Sequence, residues 1–380
     1  MMQATKRIGW AACCCIALLC SAQAQPTDTH ANFQSVTEGG ATAWTNTHPV
    51  TLRGVILNNP EEWLPGEWDA DAEADGRMGA QWQIVVQAVE AGDRGGTACW
   101  MGQNYSSLPW VFGHSYSEAE WASEMQRLNF DGAHQFRKGD LVDVTANVSL
   151  PFGGKRNINE AHSTNPANDF SIQLVTPGFG LPEPEVITLA DVVHPYDGNA
   201  DTKECIFDPS RQSGGEYYQS MRVRIESVRF ATPEEYTPPQ NYYRPNDSTN
   251  GWGVGGAFCT VTDGEGRFFR VRMPMHDLGP LPNGWFSAEG ILNQESGSGD
   301  GTFGYELFLQ AVGPTLRQIQ VGGQTMILWP ATYTNYVLEY TTDLEDSSWT
   351  NVITAPVRWI AVEEELGEEP RYYRLRQQQE

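Results

Sequence analysis

The chain has 380 residues, enough for two or three domains, and it carries 48 acidic against 24 basic residues. The net charge of −24 argues against non-specific nucleic-acid binding, which depends on basic groups that neutralise phosphates. Its 13 tryptophans, 14 tyrosines and 15 phenylalanines are ample core material, so the composition also argues against collagen, coiled coils and extensive disorder.

Residues 1–24 have the pattern of a secretory signal peptide. Lys6 and Arg7 precede an apolar run of about a dozen residues, and a small-x-small cleavage pattern follows at Ala22 and Ala24. The run is shorter than the ~20 residues that span a bilayer. We therefore expect cleavage after Ala24, a net charge of −26 once the two basic residues leave, and a protein that is secreted, periplasmic or at the cell surface, with no membrane span.

Three cysteines, Cys99, Cys205 and Cys259, remain after cleavage, so at most one disulfide forms. Cys205 and Cys259 fall in one predicted domain and are the preferred pair. The sequence leaves this pairing open, because it does not supply the distance between the two Cα atoms.

Residues 25–43 are small and polar and predict a flexible leader. Residues 44–180 then alternate between apolar and polar side chains in five stretches, which predicts five strands. A capping box at Ser117 and Glu120 predicts a helix over about 117–128, after the third strand. Three strands, a helix and two strands are the order of an OB-fold barrel, so we predict OB-like domain 1 here.

Residues 181–313 repeat the five-strand pattern and predict OB-like domain 2, with a hairpin turn at Asp263-Gly264. The Pro- and Gly-rich stretch 177–184 predicts a linker with few crossing contacts, so that each domain folds alone. Residues 314–380 alternate like the strands of a small sandwich. The predicted fold is thus mainly β: two OB-like β-barrels in tandem, followed by a small β-sandwich.

The C-terminal segment resembles a fibronectin-type-III-like module. The resemblance rests on Leu328-Trp-Pro, Tyr336-Val-Leu-Glu, Trp349 and Tyr372-Tyr-Arg-Leu. Such modules are common in exported proteins of planctomycetes and verrucomicrobia, so the resemblance implies export.

The two predicted barrels also resemble known groups of proteins. Leu52-Arg-Gly-Val, Gly96-Thr-Ala-Cys-Trp and Asn157-Ile-Asn-Glu-Ala-His are similar to uncharacterised exported proteins of the same bacteria. Gly290-Ile-Leu-Asn-Gln and Tyr305-Glu-Leu are similar to OB-like domains attached to extracellular nucleases. These likenesses imply an architecture and transfer no catalytic residue.

Four arginines alternate with apolar residues on two strands of the second predicted barrel, which puts each pair on the polar face of its strand. If the strands are neighbours, the four form one basic patch for a phosphate, a sulfated sugar or a carboxylate. The alternative is that they only pair with nearby glutamates. The arginines are Arg222, Arg224, Arg270 and Arg272, and the glutamates are Glu226, Glu265 and Glu289.

A looped, aromatic segment follows the third strand of the first predicted barrel. Its rings suit a sugar, a nucleobase or a partner protein. Two basic residues near a Gly-Gly turn are predicted to border the same groove, because OB folds bind through these loops. The alternative is a loop that only packs over the end of the barrel. The candidate binding residues are Trp100, Tyr105, Trp110, Lys155 and Arg156.

An acidic loop alternates carboxylates with alanine and ends in glycine, a pattern that can surround Ca²⁺ with oxygen ligands. Its carboxylates are Asp69, Asp71, Glu73 and Asp75. Trp82 occupies the position where an EF-hand requires a bidentate Glu, which favours the alternative of a solvated acidic loop. No other cofactor is expected.

These features favour an exported, non-catalytic binding or scaffolding protein with a carbohydrate or protein ligand. One alternative is a single-stranded nucleic-acid-binding OB protein that acts beside an extracellular nuclease, although the charge disfavours nucleic acid as a partner. Another is a hydrolase of unrecognised type. The sequence leaves the oligomeric state open.

Overall fold

The computed structural model describes residues 25–104, 115–159, 169–199, 204–232, 234–235, 251–296, 300–321, 324–329, 336–343, 348–352, 362–364 and 372–377. This part of the chain is mainly β, as predicted. The predicted signal peptide lies outside these residues. No helix within them is long and apolar enough to cross a membrane.

Residues 25–43 pack against the first domain, so the predicted flexible leader is wrong. They contain helix α1 (His30–Phe33), in which Phe33 is fully buried. The amide of Gln34 exchanges two hydrogen bonds with the backbone of Arg156, at 2.8 and 2.9 Å. The polar composition of the segment concealed these anchors, which are few: the buried rings of His30 and Phe33 and the amide of Gln34.

The first domain is built on one seven-stranded sheet. Helix α2 (Glu118–Asn129) follows the third strand, and Ser117 and Glu120 form the predicted capping box. Apolar side chains from one face of the sheet fill a core that the helix covers with Trp121. The strands in chain order are β1 (Val50–Ile56), β2 (Gln81–Gln87), β3 (Gly96–Gly102), β4 (Phe130–Asp131), β5 (His134–Gln135), β6 (Leu141–Ala146), β7 (Ser149–Phe152), β8 (Lys155–Asn159) and β9 (Ser171–Thr176).

The sheet order, β7-β8-β3-β2-β1-β6-β9, keeps the OB arrangement around β1. Strand β1 pairs antiparallel with both β2 and β6. An OB barrel closes when one last strand pairs with both the third and the fourth. Here two strands divide that role, since β8 pairs parallel with β3 while β9 pairs with β6. The extra hairpin β7–β8 therefore lies beside β3, where it becomes part of the site described below.

The second domain contains a closed five-stranded barrel. Its strand order is β11-β12-β13-β15-β14, and β14 returns to pair with β11. Strands β13 and β15 run parallel, as the OB arrangement requires. The predicted turn at Asp263-Gly264 joins β12 to β13. The elements are β10 (Glu185–Ile187), helix α3 (Gly214–Tyr218), β11 (Arg222–Phe230), β12 (Phe258–Thr262), β13 (Phe268–Arg272), β14 (Phe286–Gln294) and β15 (Tyr305–Gly313).

No disulfide joins Cys205 and Cys259, so the predicted pair is wrong. Cys259 is fully buried on β12, and Cys205 packs against the same apolar core from its edge. The sequence prediction placed both residues in the correct domain. Membership of one core does not bring two Cβ atoms into the geometry that a disulfide needs.

The C-terminal region forms two three-stranded sheets, β16-β17-β20 and β19-β18-β21. A small core of Ile327, Trp329 and Leu338 lies between them, an arrangement compatible with the predicted sandwich. The strands are β16 (Arg317–Val321), β17 (Gln324–Leu328), β18 (Tyr336–Thr341), β19 (Thr350–Asn351), β20 (Val362–Glu364) and β21 (Tyr372–Gln377).

The first sheet and the barrel of the second domain share an apolar interface, contrary to the expectation of few crossing contacts. Val85 and Ala98 on the outer face of the first sheet, together with Trp63, pack against Ile291 and Phe308 of the second barrel. All five side chains are 2 % exposed or less. The rings of Trp63 and Phe308 have centroids 5.0 Å apart.

The predicted linker takes part in this interface. Leu181 packs against the shared apolar cluster, and the carbonyl oxygen of Pro182 accepts a hydrogen bond of 2.8 Å from Arg222. Gly180 donates its backbone N–H to the carbonyl oxygen of Gly139 at 2.9 Å. The segment between the barrels is therefore held on both sides.

A buried polar network reinforces the interface at another point. Arg211 donates hydrogen bonds to Glu216 at 2.7 Å and to the carbonyl oxygen of Gln34 at 3.1 Å. The hydroxyl of Tyr305 donates to the other carboxylate oxygen of Glu216 at 2.7 Å. Burial raises the pKa of Glu216 to about 7, against the opposing effect of Arg211.

Replacing Phe308 by Ala is expected to lower the free energy of unfolding by about 3–5 kcal/mol, because it opens a cavity inside the shared interface. Since both barrels lose the contact, urea denaturation followed by circular dichroism and tryptophan fluorescence is expected to give one transition at a lower midpoint. Phe179→Ala is the matched control, because that ring is 52 % exposed. Two separate transitions, with only one displaced, would contradict a cooperative pair of barrels.

Glu216→Gln is expected to become more stable than the unchanged protein as the pH rises from about 4.5 to about 7. The folded-state pKa of Glu216 lies near 7, above the ordinary value of 4.5, so the folded protein holds an extra proton in this window. The stabilisation that the protonated Glu216 gives the folded protein is complete below pH 4.5 and is lost as the pH rises through about 7. Urea denaturation of both proteins across this range measures the unfolding free energy of the variant minus that of the unchanged protein. If this difference stays constant or falls as the pH rises, the raised pKa of Glu216 is refuted.

Candidate functional site

The hairpin β7–β8 sets the register of the candidate site. Its two-residue turn, Gly153-Gly154, has φ angles of 65° and 94°, which only glycine adopts readily. The turn pairs Phe152 with Lys155 and Leu150 with Asn157. These four side chains therefore lie on one face of the hairpin.

Strand β8 carries polar groups on that face. Lys155, Asn157 and Asn159 alternate with Arg156 and Ile158, so the first three share one side of the strand. Ile158 on the other side enters the core of the first domain. The alternation thus directs one amine and two amides away from the core.

Strands β3 and β2 continue the polar face. Asn159 lies opposite Trp100, and Trp100 lies opposite Gln83, which makes a row of three side chains across three strands. The indole N–H of Trp100 donates to Gln81 at 3.2 Å. Gly102 leaves room for the indole, since a Cβ there would come within 3.0 Å of the ring.

The second domain closes this face into a cavity of about 240 Å³. Arg272, at the end of β13, and Glu295, just after β14, line its far wall. Phe152 stands at the cavity with half of its surface exposed. The lining residues are Leu64, Met78, Gln81, Gln83, Trp100, Leu150, Phe152, Lys155, Asn157, Asn159, Arg272 and Glu295.

Three buried polar atoms of the lining have no hydrogen-bond partner in the described part of the chain. They are Oδ1 of Asn157, Oδ1 of Asn159 and Nε of Arg272. The two asparagines are only 7 % and 4 % exposed. A buried polar group without a partner is costly, so these three atoms leave hydrogen-bonding capacity unused at the cavity.

Lys155 is held in the cavity wall rather than in solvent. Its ammonium group donates to the carbonyl oxygen of Gln294 at 2.5 Å, and the side chain is almost completely buried. Burial lowers the pKa of Lys155, while the charges of Glu295 and Glu306 act in the opposite direction. Of the predicted binding residues, Trp100, Lys155 and Arg272 meet in this cavity.

The other predicted binding residues do not meet there. Arg156 projects from the opposite side of β8, where its guanidinium lies 4.7 Å from the ring centroid of Trp44 and bonds to two hydroxyl groups. Tyr105 and Trp110 lie outside the described residues.

The predicted four-arginine patch is wrong. Strand β12 separates β11 from β13 in the barrel, so the two pairs of arginines face different surroundings. Arg222 pairs with Glu289, Arg224 with Glu226, and Arg270 with the buried Glu306. Arg224 borders a separate cavity beside the C-terminal sheets. Three of the four arginines therefore pair with glutamates, as the alternative interpretation expected. Glu265, one of the glutamates named there, pairs with Arg267 instead.

The acidic loop does not have the geometry of a calcium site. Arg77 forms ion pairs with both Asp69 and Asp75, and its hydrogen bond lowers the pKa of Asp69. Asp71 and Glu73 are exposed to solvent. Within the described ranges, no three His, Cys, Asp or Glu residues come together in a way that could hold a metal ion. The solvated-loop interpretation therefore describes this segment.

The sequence matches no protein-family model, and no curated protein is significantly similar to it.

Sequence reasoning missed the amides of the cavity. From the sequence alone, no binding role was assigned to Asn157, Asn159, Gln81 or Gln83. The signal was present, because amides at every second position of two separate strands make a polar face of neutral groups. What the sequence did not reveal is that a second barrel covers this face.

Replacing Asn157 by Leu, a side chain of similar shape, is expected to leave the free energy of unfolding unchanged or to raise it. The substitution removes a buried acceptor that has no partner among the described residues. Urea denaturation of the ligand-free protein measures the effect.

The matched control is Asn58→Leu. Asn58 is fully buried and accepts a hydrogen bond from the backbone N–H of Val85 at 2.8 Å while donating to Gln83 at 3.0 Å. Asn58→Leu is expected to lower the free energy of unfolding by about 1–3 kcal/mol, because the backbone groups of Val85 and Gln83 stay buried without a partner. Equal losses for both variants would mean that Asn157 has a structural role.

Proposed function

We propose that this chain is an exported, non-catalytic binding protein whose ligand is a carbohydrate held in the cavity between the two barrels. The observation that carries the proposal is the pair of buried, unpartnered acceptors on Asn157 and Asn159 beside the indole of Trp100.

The chemistry of a sugar complements this lining. The hydroxyl groups of a sugar donate and accept hydrogen bonds, so they satisfy the side-chain amides of Asn157, Asn159 and Gln83. Its C–H faces are apolar and pack against aromatic rings, which Trp100 and Phe152 provide. A concave site with a few convergent polar groups favours a small ligand over a flat protein surface.

Binding fits the cavity better than catalysis does. Glycoside hydrolysis normally uses two carboxylic acids that flank the scissile bond. Among the lining residues of this cavity, Glu295 is the one carboxylate. The remaining polar groups, mostly amides, are suited to hold a ligand and not to transfer protons at neutral pH.

Export is proposed on the pattern of residues 1–24 and on the resemblance of the chain to exported bacterial proteins. The nucleic-acid alternative receives no support from the arginines, because three of the four are paired with glutamates. A continuous basic groove, which binding to a single strand requires, is not found among the described residues.

A glycan array probed with the purified full-length protein tests the proposal. We expect binding to a restricted set of oligosaccharides and a loss of up to about tenfold in affinity for Trp100→Ala, because aromatic stacking is worth ~0.5–1.5 kcal/mol. Trp285→Ala is the matched control, since Trp285 stacks on Arg229 away from the cavity. Absence of glycan binding, or equal losses in both variants, would refute a carbohydrate site here.

A further inference from the structure

Two cations line the cavity without forming an ion pair to a carboxylate within the described part of the chain. Arg272 contacts the rings of Phe258 and Phe308, with its guanidinium carbon 5.5 and 5.3 Å from their centroids. Lys155 bonds to a backbone carbonyl group, which carries no net charge. In contrast, Arg270 on the same strand as Arg272 is neutralised by Glu306.

The local charge of the cavity is opposite to that of the protein. Lys155 and Arg272 contribute two positive charges and Glu295 one negative charge, so the lining has a net charge of +1 in a chain of −24. Charges act more strongly in a partly enclosed site than in open solvent. One positive charge is therefore left for a bound group to neutralise.

The cations come from different domains. Lys155 begins β8 of the first domain, and Arg272 ends β13 of the second. The Lys155 amine has two N–H donors besides the one bonded to Gln294, and the Nε–H of Arg272 has no partner among the described residues. Both groups line the same cavity and are donors for charge-assisted hydrogen bonds to an anion.

A simple inorganic anion does not explain the rest of the lining. Oδ1 of Asn157 and Oδ1 of Asn159 are acceptors, which need O–H or N–H donors from the ligand. Trp100 and Phe152 need an apolar face. A ligand with hydroxyl groups, an apolar face and one anionic group satisfies all of these requirements together.

We infer that the ligand is an acidic saccharide whose anionic group, a carboxylate or a sulfate, binds between Lys155 and Arg272. This inference rests on the proposed function and specifies its substrate class. The overall negative charge of the protein repels long polyanions, whereas short acidic saccharides meet only the local field, because the Debye length is about 8 Å at physiological salt.

Isothermal titration of the full-length protein with three sets of short oligosaccharides tests the inference. The sets are neutral, carboxylated and sulfated, each measured at about 0.05 M and about 0.3 M NaCl. We expect binding to an acidic set and not to the neutral set, with lower affinity at the higher salt concentration. The carboxylated and sulfated sets distinguish the two sources of negative charge.

Arg272→Gln is expected to lower affinity for the acidic set by about tenfold or more, because it removes a charge-assisted hydrogen bond. Arg272→Lys, which keeps the charge, is expected to lose less and serves if the first variant does not fold. Arg224→Gln is the matched control, since Arg224 pairs with Glu226 at a different cavity.

Each outcome decides one of the two proposals. If the neutral set binds as tightly as the acidic sets and Arg272→Gln has no effect, the inference is wrong and the proposed function stands. If no set binds, the proposed function falls and the inference falls with it. If the Arg224→Gln control loses as much affinity as Arg272→Gln, the anion is bound through general surface charge and the inference is wrong.

Discussion

The contact between Trp63 and Phe308, with ring centroids 5.0 Å apart, is the centre of the interface on which the candidate site depends. It holds the second barrel against the outer face of the first sheet. That face is apolar where Val85 and Ala98 meet the second barrel, and it is amide-rich farther along the same strands. The contact between the two domains therefore buries the apolar part of this sheet face and encloses its polar part in a cavity. Neither domain alone supplies both walls.

Much of the fold could be predicted from the sequence, because the determinants were local. Period-two alternation located five strands in each of the first two domains but missed the β7–β8 hairpin and β10. The capping box at Ser117 located α2, and Asp263-Gly264 located the β12–β13 turn. The interface could not be predicted in this way. Its sequence signal consists of apolar residues at positions that alternation assigns to solvent, such as Val85, Ala98, Ile291 and Phe308. Such residues are common on exposed sheet faces, so they do not by themselves indicate a partner.

The candidate site was only partly predictable, for a geometric reason. Alternation determines whether a side chain points into or out of a barrel, but not the direction around the barrel in which it points. Arg224 and Arg272 both point outwards, yet they border different cavities because β12 lies between their strands. Lys155 was associated with Trp100 because OB folds bind through these loops, and both residues line the cavity.

The same interface contains a buried polar network that can be compared with the cavity. Arg211, Glu216 and Tyr305 satisfy one another there, with hydrogen bonds of 2.7 Å. The chain therefore can pair buried polar groups where two domains meet. At the cavity, by contrast, Asn157 and Asn159 are as deeply placed and keep acceptors that no described residue satisfies. Groups of this kind lower stability unless something pairs with them. The cavity has room for an added molecule beside these two asparagines, and the proposed ligand would complete their hydrogen bonds.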